Sequence, residues 1–366
     1  MSKARQLADL GNVYDDGALS NRNRIINGDM RIDQRNGGAS VTPTASSYTL
    51  DRFRLEISQA SKLSVEQNAG SVTPPEGFTN YLGITSTSAY SVLTGDFFLL
   101  SQRIEGFNVA DLGWGTSYAK SVTLSFRVRS SLTGSFGGVL TNSAQDRSYP
   151  FTYSIPAANT WTTIEVTIVG DTTGTWLTNN GLGLFVYFGL GVGTTYGSGT
   201  AGAWAAGNIF APTGSTSVVG TNGATFYLTG VQLEVGDTAT PFEHRSYGDE
   251  LARCQRYYQR YVTNGYVYGR FAICENRAAN KSQAMFDLGQ AMRAVPTLQT
   301  TGTASNYALY NSEAIIAATA LTYDSNPTAR VPTIQVSVAS GLVDGGASQL
   351  MANNNASSYI AFDAEL

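Results

Sequence analysis

Residues 121–130 read SVTLSFRVRS, with Val122, Leu124, Phe126 and Val128 on one side of an extended chain and Thr123, Ser125, Arg127 and Arg129 on the other. Strict period two over this length describes a strand with one face in a core and one toward solvent. WTTIEVTIV at 161–169 alternates in the same way, with Trp161 read as core. Residues 182–190 are almost continuously apolar, as in a strand covered on both faces, and ATFYLTGVQL at 224–233 closes the set. From Ile25 to about Glu243, short apolar runs alternate with Gly, Ser, Thr, Asn and Pro clusters, the rhythm of a β-sandwich. The Gly/Ser/Thr-rich segments at 132–144 and 191–223 read as loops.

Downstream, SYGDELARCQRYYQRY at 246–261 carries a helix signal, with Ser246 as cap and Asp249 and Glu250 in the first turn. Tyr247, Leu251, Cys254, Tyr258 and Tyr261 recur at steps of four, three, four and three, which predicts an oligomer seam, while a strand through 254–261 remains open. Arg253, Arg256 and Arg260 would share a solvated helix face. Strands are expected again at 265–274, 283–288, 333–339 and 359–366, the last requiring a neighbour to satisfy its edge. Upstream, residues 1–23 show only Leu7, Leu10 and Val13 at helical spacing, which predicts a short helix and an irregular arm.

Composition narrows the function. The 366 residues include only 14% charged side chains, with 39 Gly, 20 Tyr and 16 Phe, so hydroxyls, amides and backbone must solvate the surface. A net charge of −4 without a Lys/Arg run excludes a phosphate-binding stripe, so no nucleic-acid partner is expected. No apolar run reaches membrane-spanning length and MSKARQLADL lacks a signal-peptide core, so the expectation is neither membrane insertion nor Sec export. Cys254 and Cys274 are too few for a disulfide framework and read as buried thiols.

Catalytic constellations are weak. Glycan hydrolysis needs two carboxyls about 5–9.5 Å apart. Asp15-Asp16 lies in the arm, Asp249-Glu250 is explained by capping, and Glu105, Asp111, Asp146 and Glu165 are scattered. The single histidine, His244, excludes a His-rich metal site and disfavours a Ser-His-Asp triad; a structural hydrogen bond is expected for it. GLGVGTTYGSG at 189–199 has no following Lys and is not a phosphate loop. The chain reads as a non-enzyme. Aromatic rings in polar loops are the informative residues, since sugars stack their CH faces on rings and bond their hydroxyls to amides and hydroxyls. Trp176 in GDTTGTWLTNN, with Tyr196 and Tyr149, is the leading platform; Trp204 and Trp114 also lie in loops, and packing is the competing role for each.

NRIINGDMRIDQR at 23–35 resembles the opening of carbohydrate-binding-module-like domains of phage tail fibre proteins. The resemblance continues through YTLDRF (48–53), LSQRIEGF (100–107), SVTLSFRVRSSLTGSFGG (121–138), NTWTTIEVTIVGDTTGTW (159–176) and ATFYLTGVQLEVGDTATPFEHRSYGDELARCQRYYQRY (224–261). FDLGQAMRAVPTLQTTG at 286–302 looks like a phage fibre end domain. The resemblance implies a mainly β protein: a jelly-roll β-sandwich followed by a smaller β-rich C-terminal domain, with a short N-terminal arm. The divisions are 1–23 for a virion-anchoring arm, 24–245 for the jelly roll, 246–261 for a helical or linker segment, and 262–366 for a trimerising or receptor-facing β domain. It also implies that a first strand at Asn27-Gly28-Asp29 lies near a last at 231–234, beside a structural calcium (Ca2+) held by Asp29 and Glu234. Sister modules carry an Asp pair in that last strand where this chain has Gly230 and Glu234. The implied function is a homotrimeric tail fibre adhesin of the virion, assembled in the host cytoplasm. Its arm would meet a baseplate or tail protein, and its receptor would be host-surface polysaccharide or lipopolysaccharide. The alternatives are a tailspike-like depolymerase and a purely structural head fibre or tail connector.

Overall fold

The structure, a computed structural model, describes residues 21–324 and 327–366. Most of the expected N-terminal arm, including Leu7, Leu10 and Val13, lies outside the described residues. The chain divides into two compact units, one reaching Glu250 and including Leu366, the other Leu251–Glu365.

The first unit is a β-sandwich of jelly-roll type. One sheet runs β1 (Ser47–Leu50), β2 (Phe53–Ile57), β5 (Phe97–Glu105), β10 (Leu182–Val192), β7 (Gly134–Asn142), β8 (Arg147–Ile155) and β11 (Ala205–Ala206). The other runs β3 (Leu63–Gln67), β4 (Leu82–Ser86), β12 (Thr225–Val235), β6 (Val122–Ser130) and β9 (Thr162–Ile168). All pairings between these strands are antiparallel. Val122, Leu124, Phe126 and Val128 are fully buried between the sheets and Ser125, Arg127 and Arg129 stay partly exposed, as the period-two pattern predicts, while Thr123 on the outward side is buried, donating to the Gly236 carbonyl. β10 is covered twice: Leu184, Val186 and Phe188 enter the main core, while Phe185 and Tyr187 join Leu99, Val139 and Phe210 in a second cluster.

Two sequence expectations fail here for identifiable reasons. Residues 132–144 are not a loop but contain β7, paired between β10 and β8. Its glycines serve packing: a Cβ on Gly138 would lie 2.3 Å from Phe151 Cζ and 2.4 Å from the Tyr187 carbonyl oxygen. Asn27-Gly28-Asp29 is not a strand either. Asn27 and Met30 hold left-handed φ values of 60° and 59°, and side-chain amides replace the ladder. Asn23 donates to the Val231 carbonyl and accepts from the Ile25 and Leu233 amides. Gln102 accepts from Ile26 N and donates back to its carbonyl. The segment nevertheless lies against β12, with Val231 N donating to Gly28 O at 2.9 Å and Arg24 N to Leu233 O at 2.8 Å.

Helix α1 covers Tyr247–Gln255 and is capped as expected, Asp249 N donating to Ser246 Oγ at 3.2 Å. Glu250 does more than cap: it is buried, accepting from Asn27 N and from Arg245 at 3.2 Å. The seam does not continue as a helix. Tyr258–Val262 is β13, because YYQRYV is rich in aromatic and β-branched residues and two helical turns offer little to oppose sheet pairing. Tyr258 and Cys254 are buried, Tyr261 packs on Phe286 and Phe362, and Tyr247 is exposed, so the five residues form no common stripe. The arginine face dissolves with it; Arg260 stands on β13 over the Tyr359 ring.

The second unit holds a closed barrel, β14 (Arg270–Ala278), β15 (Lys281–Met285), β19 (Thr333–Val338), β18 (Ile315–Tyr323), β17 (Tyr307–Tyr310) and β20 (Ala347–Ala352). A three-stranded sheet places β21 (Tyr359–Asp363) between β13 and β16 (Thr297–Thr300). The final strand finds the neighbours its edges require within this unit: it is central and paired on both sides. Residues 265–269 form turns ahead of β14 rather than part of a strand. Cys254 and Cys274 are buried thiols that form no disulfide, and burial pushes the Cys274 thiol up to about 11.

Candidate functional site

Four of the five aromatic candidates meet in one cluster. Trp114 lies 4.8 Å from Trp176 and 5.3 Å from Trp204, ring centre to ring centre, and Trp176 lies 5.4 Å from Trp204, all three pairs edge to face. Tyr149 on β8 joins through Trp204 at 5.3 Å. Each indole N–H is anchored by a carbonyl: Trp114 donates to Lys120 O at 2.7 Å, Trp176 to Thr173 O at 3.1 Å, and Trp204 to Val169 O at 2.7 Å. Trp204 immediately precedes β11 on the edge of one sheet and bonds the residue after β9 on the edge of the other, so the cluster spans the open side of the sandwich.

Burial divides the cluster. Trp114 and Tyr149 belong to the core, and desolvation raises the Tyr149 phenol above its ordinary range. Trp176 and Trp204 remain partly exposed beside a turn whose Thr172, Thr173, Thr175, Thr178 and Asn179 face solvent. Beneath that turn Asp171 accepts both Nε and Nη2 of Arg147 at 2.8 Å and the Thr173 amide and hydroxyl at 3.1 and 3.0 Å. Burial alone would raise the Asp171 carboxyl, but the Arg147 fork and Thr173 outweigh it and hold it below its usual range. Two indole faces with fixed edges, rimmed by hydroxyls, suit a polar ligand that also has CH faces. Tyr196 is not part of this group; it packs on Phe210 at 4.8 Å and Phe97 at 6.0 Å over the outer face of the first sheet. Trp161 sits outside the main core, edge to face with Tyr81 at 5.6 Å and donating to Thr73 O.

The residues assigned to calcium by resemblance do not fit a shared cation. Asp29 is ion-paired with Arg31, and the Glu234 oxygens accept from Gln232 Nε2 at 2.9 Å and from the Thr240 amide and hydroxyl at 2.9 and 2.6 Å. Calcium needs six to eight oxygens, and no group of three His, Cys, Asp or Glu among the described residues is placed to hold a metal. The scattered carboxyls are mostly occupied: Asp111 pairs with Arg24 at 2.6 Å, Asp146 accepts from Asn142 at 2.6 Å, and Glu105 is buried. His244 makes no side-chain hydrogen bond among the described residues; its exposed ring packs against Phe242 at 4.9 Å and Phe78 at 5.4 Å.

No protein-family model matches the chain, and no curated protein matches it. Among solved structures, the enzymatically active domain of bacteriophage CBA120 tailspike protein 4 is similar at 11% identity and TM-score 0.31, covering 60% of this chain and 22% of that one. The family 11 carbohydrate-binding module of the Clostridium thermocellum cellulosomal cellulase Lic26A-Cel5E is 11% identical over 58% of this chain and 100% of that one, TM-score 0.27. TmCBM61, solved with β-1,4-galactotriose, is 10% identical over 50% of this chain and 88% of that one, also at 0.27. All three scores lie below 0.5.

Proposed function

We propose that this chain is a non-catalytic glycan-binding subunit of a bacteriophage tail fibre, which attaches the virion to host-surface polysaccharide. The observation that carries the reading is the partly buried pair Trp176 and Trp204, held edge to face on Trp114 and rimmed by threonines. Low charge and abundant hydroxyls support a sugar ligand over a phosphate one, and the motifs at 23–35 and 224–261 supply the tail fibre assignment. Assembly as a homotrimer, with the N-terminal arm on a baseplate or tail protein, would multiply weak single-site affinity. Turnover is not required, since the candidate carboxyls are dispersed and largely engaged in internal contacts.

The test is binding of the purified chain to a printed array of bacterial capsular and lipopolysaccharide glycans, beside Trp176→Ala. Saturable, periodate-sensitive binding that Trp176→Ala weakens at least about tenfold is expected. A folded protein that binds no glycan would overturn the reading in favour of a purely structural virion part, and release of new reducing ends would establish a depolymerase instead.

A further inference from the structure

A second surface of the same unit holds a cavity of about 270 Å³ on the outward face of the five-stranded sheet. Its floor is opened by an irregularity in β12, where the register with β6 shifts between Thr229 and Gln232 and Gly230 takes a φ of 61°. A Cβ on Gly230 would lie 2.7 Å from Phe78 Cζ, so the missing side chain is what lets the Phe78 ring stand there as a wall. Phe242 continues that wall, edge on to Phe78 at 5.1 Å, and is itself braced by His244.

Besides the rings, the cavity is lined by Arg127 and Ser125 of β6 and Glu165 of β9. Arg127 is in register with Thr163, and Glu165 with Ser125, so the two charges are diagonal cross-strand neighbours. Diagonal positions lie roughly 7–8 Å apart, within reach of long side chains, and opposite charges placed so normally bridge. These two do not: neither side chain has an ion-pair or hydrogen-bond partner among the described residues. The site thus combines a guanidinium with free donors, a carboxylate with free acceptor positions and a hydroxyl with an apolar ring wall, and its formal charges cancel.

We infer that this cavity binds one terminal, uncharged pyranose of a glycan. Cancelling charges favour a neutral ligand. Donors and acceptors side by side match vicinal hydroxyls, which accept from Arg127 and donate to Glu165, and the Phe78–Phe242 wall meets the CH face of the ring. The inference takes its ligand class from the proposed glycan-binding function but rests on different residues and a different face from the tryptophan cluster.

The experiment is saturation-transfer NMR and titration of the full chain with methyl glycosides of galactose, glucose and mannose, and with methyl glucuronoside as the charged comparison. Arg127→Met and Glu165→Gln are measured in parallel, with urea unfolding confirming that both variants fold. At least one neutral glycoside is expected to bind saturably and more tightly than the glucuronoside, and each variant to weaken it about tenfold or more. No saturable binding by any neutral glycoside, or binding that both folded variants retain, overturns the pocket. Glycan-array binding by the same preparation reads the broader function separately: polysaccharide captured while the glycosides ignore Arg127 and Glu165 refutes this site alone.

Discussion

Gly138→Ala is a substitution whose cost can be worked from contacts. The added methyl would sit 2.3 Å from Phe151 Cζ, 2.9 Å from Phe151 Cε1 and 2.4 Å from the Tyr187 carbonyl oxygen. Carbon contacts are comfortable at about 3.5–4 Å, so the overlap exceeds about 1 Å on two sides. Phe151 is a core ring and cannot rotate away freely, and the Tyr187 carbonyl belongs to the β10–β7 ladder. Overpacking of this kind costs about 1–3 kcal/mol, and displacing the carbonyl strains or loses one or two ladder bonds at about 1 kcal/mol each. Alanine recovers roughly 0.5–1 kcal/mol of chain entropy, leaving about 1–4.5 kcal/mol of net destabilisation, centred on about 3. All four tryptophans, 114, 161, 176 and 204, lie in the first unit, so their fluorescence in urea reports on it specifically. With m near the upper end of the usual range of about 1–3 kcal/mol/M, the midpoint should fall by about 1 M. Gly37→Ala is the control, with φ at 59° and open space around it; it should cost about 1–2 kcal/mol from conformation alone. Gly138→Ala unfolding within about 0.5 kcal/mol of the parent at unchanged m would refute the claim that glycine is required for packing there.

Three further outcomes are expected. Asp171→Asn should lower stability by about 2–4 kcal/mol in the same urea assay, because Arg147 loses a bidentate carboxylate partner buried beneath the Trp176 turn; a change under about 0.5 kcal/mol would mean the pair is idle. Asp96 is desolvated, which raises its carboxyl, yet bonds from Tyr90, Leu93 N, Gln59 and Ser58 hold it at about 2. A depressed folded value gives stability present above the unfolded carboxylate range near 3.9 and lost as pH falls toward 2, so Asp96→Asn should be less stable than the parent at pH 5–7 and converge on it in acid; a parallel offset down to pH 2 would contradict this. Calcium should move the melting temperature by less than about 1 °C relative to EGTA, since Asp29 and Glu234 are engaged elsewhere; a rise of several degrees would restore the ion.

What could be read from the chain alone follows the range of the forces involved. β6 announces itself because a single core face against a single solvent face imposes period two locally. β7 does not, because its glycines answer to Phe151, Tyr187 and Pro212, contacts fixed only after folding. Tyr258 and Tyr261 continue a helical spacing that β21, about a hundred residues on, overrules by pairing. The aromatic candidates were visible as rings in polar turns, but that Trp114, Trp176 and Trp204 touch one another, and that Tyr196 does not, depends on the meeting of two sheet edges. Arg127 and Glu165 were legible only as outward positions on strands; the cavity between them exists because of an irregularity at Gly230 and a ring from residue 78.

The amide network at 23–35 bears on how such shallow sites could work. A single pyranose held by a few hydrogen bonds and a ring wall gives millimolar affinity, about −4 kcal/mol, so little binding energy is left over to order a loose loop at each encounter. Rigid presentation therefore matters more than contact number. Asn23, Gln102 and Gln232 tie the 23–32 segment and the 240–243 turn to the sheets by side-chain bonds, the last with Glu243 N donating to Gln232 Oε1 at 2.8 Å. That turn carries Phe242 and Thr240, which line the cavity. Residues that mark the resemblance in sequence would then act on the ligand indirectly, by fixing in advance the wall against which a sugar ring must rest; Gln232→Ala should accordingly weaken glycoside binding through a slower on-rate and a less ordered 240–243 turn, while leaving Arg127 and Glu165 untouched.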